Sequence, residues 1–270
     1  MCSSDLTSQP TWAVFLVTLI AMAAVAAVAH HLMVSRISEE RRQGMARTAT
    51  VYITELGTLF AILTGFLISS EYSIYRQAQT SIAQETSAGT NLAYSTRPLP
   101  AVDVSQIQAR EALYIDTIER EDWSALAEGR LPGGDTFETM RDLQGDAYRL
   151  TARAYSPAST EWELRQSVDD LIARRKERLA IGTLTLPGLM FILSVAAGLA
   201  LVINAVMVSL GEGRYAALVA ATIVVIVALD LALIIALSAP FRGGFVVSRA
   251  PLESLRIELQ QGRYLPWIRG

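Results

Sequence analysis

Four apolar runs divide the chain, and a long polar block separates the second from the third. The first run is Thr11 to Val34, with no ionisable side chain before His30 and His31. The second covers about Val51 to Ser70 and carries one charge, Glu55, near its start. The third is about Leu186 to Ser209, and the fourth about Tyr215 to Ala239. Each is close to or above the roughly 20 residues that a helix needs to cross a hydrocarbon core. Backbone polar groups in lipid must be paired within the segment, so these runs predict transmembrane helices. In the fourth, Ala228, Ala232 and Ala236 recur at four-residue spacing, a small-residue row that lets helix backbones approach closely.

The block from Glu71 to Thr185 also reads as helical. The second helix is predicted to run on past Tyr75 and Gln84 until Arg97-Pro98-Leu99-Pro100 stops it. Another helix is expected from Ser105 to Glu128, ending at Gly129 and the Leu131-Pro132-Gly133-Gly134 segment, and a third with Asp135 as its N-cap. Thr160 and Glu163 form a capping box for a fourth, whose apolar face is Leu164, Val168, Leu171, Ile172 and Leu179. The cationic run Arg174 to Arg178 is expected to lead this last helix towards the membrane. The predicted class is an all-α integral membrane protein with four transmembrane helices and a helical cytosolic domain between the second and third. Its expected parts are 1–70 with spans one and two, 71–185 as the cytosolic domain, 186–239 with spans three and four, and 240–270 as a cytosolic tail.

Composition agrees with that division. Of 270 residues, 51% are hydrophobic and only 18% charged, with a mean hydropathy of +0.33, too apolar for an ordinary soluble domain. A net charge of −3 excludes a nucleic-acid binder resting on bulk basicity. The single cysteine, Cys2, permits no intrachain disulfide and no thiolate cluster. Ten residues carrying Asp5 and no Lys or Arg precede the first run, so it reads as a retained span and not as a cleaved leader. Arg and Lys near the span ends set orientation. With the N-terminus inside, eight lie inside (Arg76, Arg174, Arg175, Lys176, Arg178, Arg242, Arg249 and Arg256). The opposite orientation puts five there: Arg36, Arg41, Arg42, Arg47 and Arg214. Both termini are therefore expected in the cytoplasm.

The chemistry of catalysis is missing from the pattern. The polar block holds 13 basic and 18 acidic residues, with no glycine-rich phosphate loop after a strand and no identifiable Ser-His-Asp set. His30 and His31, the only histidines, point about 100° apart on a helix and suit an interface better than a shared metal. No enzyme activity, cofactor or metal is expected. Asp230 is a functional candidate because an acid deep in a span is costly. A polar contact, with Asn204 for example, and a place on a transport path both remain open for it; Glu55 fits the headgroup zone. Thr58, Ile62 and Phe66 share one face of the second span, with Ser69 and Ser70 just beyond. Helix packing and a hydrophobic constriction around an axis are both compatible with that face.

Two stretches resemble the bestrophin superfamily, and especially its bestrophin-like family of bacterial four-span proteins. One is Thr64-Gly65-Phe66-Leu67-Ile68-Ser69-Ser70 followed by Tyr72, Tyr75 and Arg76. The other is Pro240-Phe241-Arg242-Gly243-Gly244 followed by Pro251-Leu252-Glu253-Ser254-Leu255. The resemblance implies a homo-oligomeric, pentameric ion channel in the bacterial inner membrane. Its partners would be the lipid bilayer, further copies of the chain and small inorganic ions. Matched by position, Ile62 and Phe66 would form the pore constriction, Thr58 would lie one turn outward, and Ser69 and Ser70 would flank it on the inner side. Arg242 to Ala250 contains no Asp or Glu where the superfamily has an acidic calcium clasp, so calcium gating of that kind is not expected. A vestibule built from a block of net charge −5 would favour cations unless basic groups face the pore. Two other classes fit the layout. A proton-driven stator would use Asp230, although Leu186-Pro187-Gly188-Leu189 only faintly resembles the stator signature. A membrane sensor or scaffold would use the helical block to bind a partner.

Overall fold

The computed structural model describes residues 11–152, 158–184, 186–210, 213–242 and 245–266. Cys2, Asp5, Thr185, Gly243 and Gly244 lie outside the described residues. Among the described residues there is no strand. The helices are α1 (Thr11–Arg36), α2 (Glu39–Ser95), α3 (Ala101–Thr117), α4 (Trp123–Ala127), α5 (Gly134–Thr151), α6 (Ala158–Gly182), α7 (Gly188–Ser209), α8 (Gly213–Leu237) and α9 (Ala250–Gln260). Four of them, α1, α2, α7 and α8, are long and apolar enough to cross a membrane.

The chain divides into two compact units. The first takes residues 1–73, 185–239 and 243–245. Its core is Met22, Phe60, Ala197, Leu201, Val202, Val224, Val227, Ala228 and Leu231. Ala228, Ala232 and Ala236 are all buried, as their spacing predicts. Gly198 shows how close the approach is: a Cβ there would lie 2.9 Å from Val227 Cγ1 and 3.0 Å from Phe60 Cε2. Leu16, Val17 and Ile20 on α1 and Leu218 and Val219 on α8 are exposed, the surface a bilayer would cover. α2 begins at Glu39, twelve residues before the apolar run. Residues 39–50 lack a proline, Glu39 and Arg42 pair at 2.6 Å one turn apart, and Ala46 and Ala49 are buried. Helix propensity and local pairing therefore extend the helix beyond its hydrophobic stretch. At 57 residues it is about 85 Å long at 1.5 Å per residue.

The second unit takes residues 74–184, 240–242 and 246–270. Ile82, Leu92, Ile107, Ile115, Leu143, Leu164, Val168, Leu171, Leu252 and Leu255 are among its buried core. The predicted apolar face of α6 is present, with Ile172 and Leu179 packed at its edge. Three local expectations differ. The helix expected over Ser105–Glu128 starts at Ala101, directly after Pro100, and Ile118–Asp122 form a π-helical turn between α3 and α4. α6 begins at Ala158, so Thr160 lies within its first turn. α5 begins at Gly134 with Gly133 as N-cap, and Asp135 sits inside it. The capping oxygen comes from elsewhere: Glu121 Oε2 accepts from Thr136 N at 2.7 Å and from Thr136 Oγ1 at 2.6 Å. A carboxylate from a neighbouring element satisfies an N-terminal amide as well as a local one does.

The segment expected as a tail is folded into this unit. Val247 N donates to Pro240 O at 2.8 Å, and Leu252, Leu255 and Leu259 of α9 are buried. Phe241 stacks edge-on to Trp123 at 5.6 Å and lies where a Cβ on Gly182 would meet its Cε2 at 3.1 Å. The Pro-Phe pair is thus a core plug of this unit.

Candidate functional site

Within the first unit, α2 has two opposite faces. Phe60, Thr64 and Leu67 are buried against neighbouring helices, and Thr64 hides its hydroxyl by donating to Phe60 O at 2.8 Å. The other face shows an exposed residue at every turn: Glu55, Thr58, Ile62, Phe66, Ser69 and Ser73. Ile62 and Phe66 are 65% and 60% exposed, large values for the two bulkiest apolar side chains on a face bracketed by hydroxyls. Thr58 turns its hydroxyl back to Thr54 O at 2.8 Å, leaving its methyl outward. Ser70 lies about 100° round the helix from Ser69 and is half-buried, so it stands beside this row instead of on it. Gly65 adds bare backbone next to Phe66; a Cβ there would meet nothing within 4 Å.

In the second unit the same helix exposes Arg76, Thr80, Ala83, Ser87 and Asn91, again at helical spacing. Its acids do not share that face, because Glu71 and Glu85 are buried. The negative charge of the polar block is therefore held elsewhere. Much of it is paired, as in Arg110 Nε to Asp146 Oδ2 at 3.1 Å and Arg256 Nε to Glu119 Oε2 at 3.4 Å.

The Arg174–Arg178 run divides between surface and core. Arg178 is fully buried in the second unit. Its Nε donates to Glu85 Oε2 at 2.5 Å and its Nη2 to Asp122 Oδ2 at 2.6 Å. Tyr114 donates to Glu85 Oε1 at 2.8 Å, Arg175 Nη2 lies 3.6 Å from Asp122 Oδ1, and the Arg178 guanidinium sits 5.7 Å from the Trp123 ring centre. Burial alone would favour a neutral Arg178, but Glu85 and Asp122 outweigh it and raise its pKa. Burial, then the Glu85 charge, pushes the Tyr114 phenol well above its ordinary range. Removing one partner from such a cluster costs about 3–5 kcal/mol, since a buried charge is left uncompensated. The π-helical turn carries Asp122 at its end, consistent with the use of such turns to redirect single side chains.

Glu111 is also fully buried in the second unit. Neither carboxylate oxygen has a hydrogen-bond partner, and Oε1 lies 2.8 Å from where a Cβ on Gly89 would be. Burial raises its pKa well above the ordinary carboxylate range.

Asp230 is half-buried on α8, and no hydrogen bond or ion pair joins it to another described residue. Asn204 is not placed to be its partner. Gly198 packs on Val227, Asn204 lies six residues beyond Gly198 on α7, and Asp230 lies three beyond Val227 on the antiparallel α8. The two are thus displaced in opposite directions along the bundle, about 13 Å apart by helical rise. His30 and His31 are exposed. Among the described residues no group of three His, Cys, Asp or Glu side chains could hold a metal ion.

Comparison with known proteins bears on the whole chain. A family model described as a bestrophin-like domain matches residues 20–252. No curated protein matches the sequence significantly. Solved structures do match in fold. One variant of a bacterial bestrophin homolog from Klebsiella pneumoniae superposes with a TM-score of 0.71 at 14% identity, covering 92% of this chain and 96% of that one. A second variant gives 0.71 at 15% identity over 92% and 98%, and a third gives 0.70 at 14% over 91% and 99%.

Proposed function

The chain belongs to the bestrophin-like family, and from that membership we propose that it is a pentameric channel conducting small ions along an axis lined by α2. The family is one of ion channels and not of enzymes, and the fold is that of bacterial bestrophin homologs. One observation carries the reading to particular residues: Ile62 and Phe66 stand exposed on α2 between Thr58 and Ser69, while Phe60, Thr64 and Leu67 fill the opposite, buried face. A single helix cannot enclose a path, but several copies facing an axis turn this row into a ring system. Ile62 and Phe66 form its constriction, narrow and apolar enough to gate by dewetting. Thr58 and Ser69 flank it on either side, and Ser70 supports the inner flank from beside the row. Asp230, off this helix, packs and modulates and does not line the path. Both termini face the cytoplasm of the bacterial inner membrane, and residues 71–185 form the cytosolic domain.

The net charge of the polar block does not set selectivity in this arrangement. The charged residues on the exposed row are Glu55 on one side of the constriction and Arg76 on the other. Which of the two rings dominates fixes the sign of the favoured ion. The test is current through purified full-length protein in planar bilayers under a KCl gradient. A reversal potential away from zero is expected, with larger conductance in Phe66→Ala. Sustained silence from both proteins, with the oligomer intact, would remove the channel reading.

A further inference from the structure

The first unit contains a groove that conduction does not use. It has a volume of about 520 Å³, within the usual range for a bound small molecule. Met45, Ala49, Tyr52 and Met207 make most of its lining apolar, Arg41 stands at one end, and Asn204 closes it on the α7 side. Asn204 is only 4% exposed, yet its Oδ1 has no hydrogen-bond partner. Left dry, such a buried amide carries a cost of about 1–3 kcal/mol, so a ligand that pairs with it gains accordingly. Arg41 is exposed, no described acidic residue pairs with it, and no acid lines the groove. Arg42, one residue on, is by contrast taken up by Glu39.

The order of these groups along the helices matters. α7 runs antiparallel to α2, with Gly198 against Phe60 and Met207 in the groove beside Met45. Asn204 therefore lies further into the span than Arg41, level with Thr48 to Tyr52 and about 10–16 Å along α2 by helical rise. A free cation at the end, an amide below it and apolar walls throughout match a phospholipid read from headgroup to chain. We propose that this groove binds one anionic phospholipid from the bilayer. Its phosphate pairs with Arg41, its ester region hydrogen-bonds the Asn204 amide, and an acyl chain lies over Met45, Ala49 and Met207. An ester carbonyl only accepts, so the Asn204 amide meets it after a half-turn that puts its Nδ2–H where Oδ1 stands, as donor.

Gly44 provides the means of testing this. It lines the groove, and a Cβ placed there meets nothing within 4 Å, so Gly44→Leu puts side-chain volume into the groove. The experiment is native mass spectrometry of the full chain extracted in mild detergent and titrated with phosphatidylglycerol or phosphatidylcholine. Wild type is expected to hold one phosphatidylglycerol per protomer in preference to phosphatidylcholine. Loss of one charge-assisted contact in Arg41→Gln should weaken it by about tenfold or more. Gly44→Leu should abolish it without lowering the thermal melt. Arg47→Gln, on the same helix outside the groove, should leave it unchanged. Equal retention in wild type, Arg41→Gln and Gly44→Leu, equal binding of the two lipids, or no lipid at all would overturn the assignment. So would dissociation of the oligomer by Gly44→Leu, which would give the groove to a neighbouring copy.

Discussion

Two groups of single residues stand out, one on α2 and one in the core of the second unit. On α2, Ile62 and Phe66 are exposed while Thr64, on the opposite face, is buried. In the second unit, Arg178 and Glu111 occupy core positions although both are ionisable. Their burial was legible in the register. Arg175 and Arg178 continue the series Leu164, Val168, Leu171, and Glu111 continues Val104, Ile107, so each falls on the buried face of its helix. A charge run read only as a charge run hides this. The partners Glu85 and Asp122 could not be read, because pairing over 93 and 56 residues depends on packing.

Glu111 yields a pH prediction. Burial raises its folded-state pKa above the ordinary value of 4.5, so the folded chain holds a proton that the unfolded chain releases. Its contribution is complete below about pH 4.5 and is lost as pH rises towards the raised pKa. The slope approaches about 1.4 kcal/mol per pH unit. Lowered acids such as Glu121 and Asp146 work in the opposite sense, so the comparison must be with a variant. Thermal melts of wild type and Glu111→Gln between pH 5 and 8 should show a fall with rising pH that the variant lacks. Parallel curves would mean that Glu111 is already ionised in the fold.

Among elements, the four spans and the continuous α2 were legible because length and hydropathy decide membrane helices with little competition. What escaped the sequence was set by distant neighbours: the Glu121 cap on α5, the π-helical turn before Trp123, and the docking of α9. Glycines on these elements give a paired prediction. Gly198 sits where three helices crowd, and its closest neighbour, Val227, is β-branched and stiff. Gly198→Leu should lower stability by about 1–3 kcal/mol through overpacking. Gly65 faces open space beside Phe66, so Gly65→Leu should not lower the melt and should reduce the current. Stability losses of similar size in both variants would place Gly65 in a packed interface instead.

At the scale of the whole molecule, two compact units share one long helix, and the fold is that of bacterial bestrophin homologs. The bestrophin-like resemblance was readable from about 30 residues around Gly65-Phe66 and Pro240-Phe241, and the family match now extends over residues 20–252. The family assignment gives no support to the stator and sensor readings. Cysteine accessibility reports which side of α2 would face a conducted ion. In a Cys2→Ser background, Phe66→Cys, Ser69→Cys and the near-isosteric Thr64→Cys would each be assayed for current before and after a small charged methanethiosulfonate. Block is expected at Phe66→Cys and Ser69→Cys and none at Thr64→Cys. Block at Thr64→Cys, with Phe66→Cys and Ser69→Cys unaffected, would contradict the proposed pore-lining face.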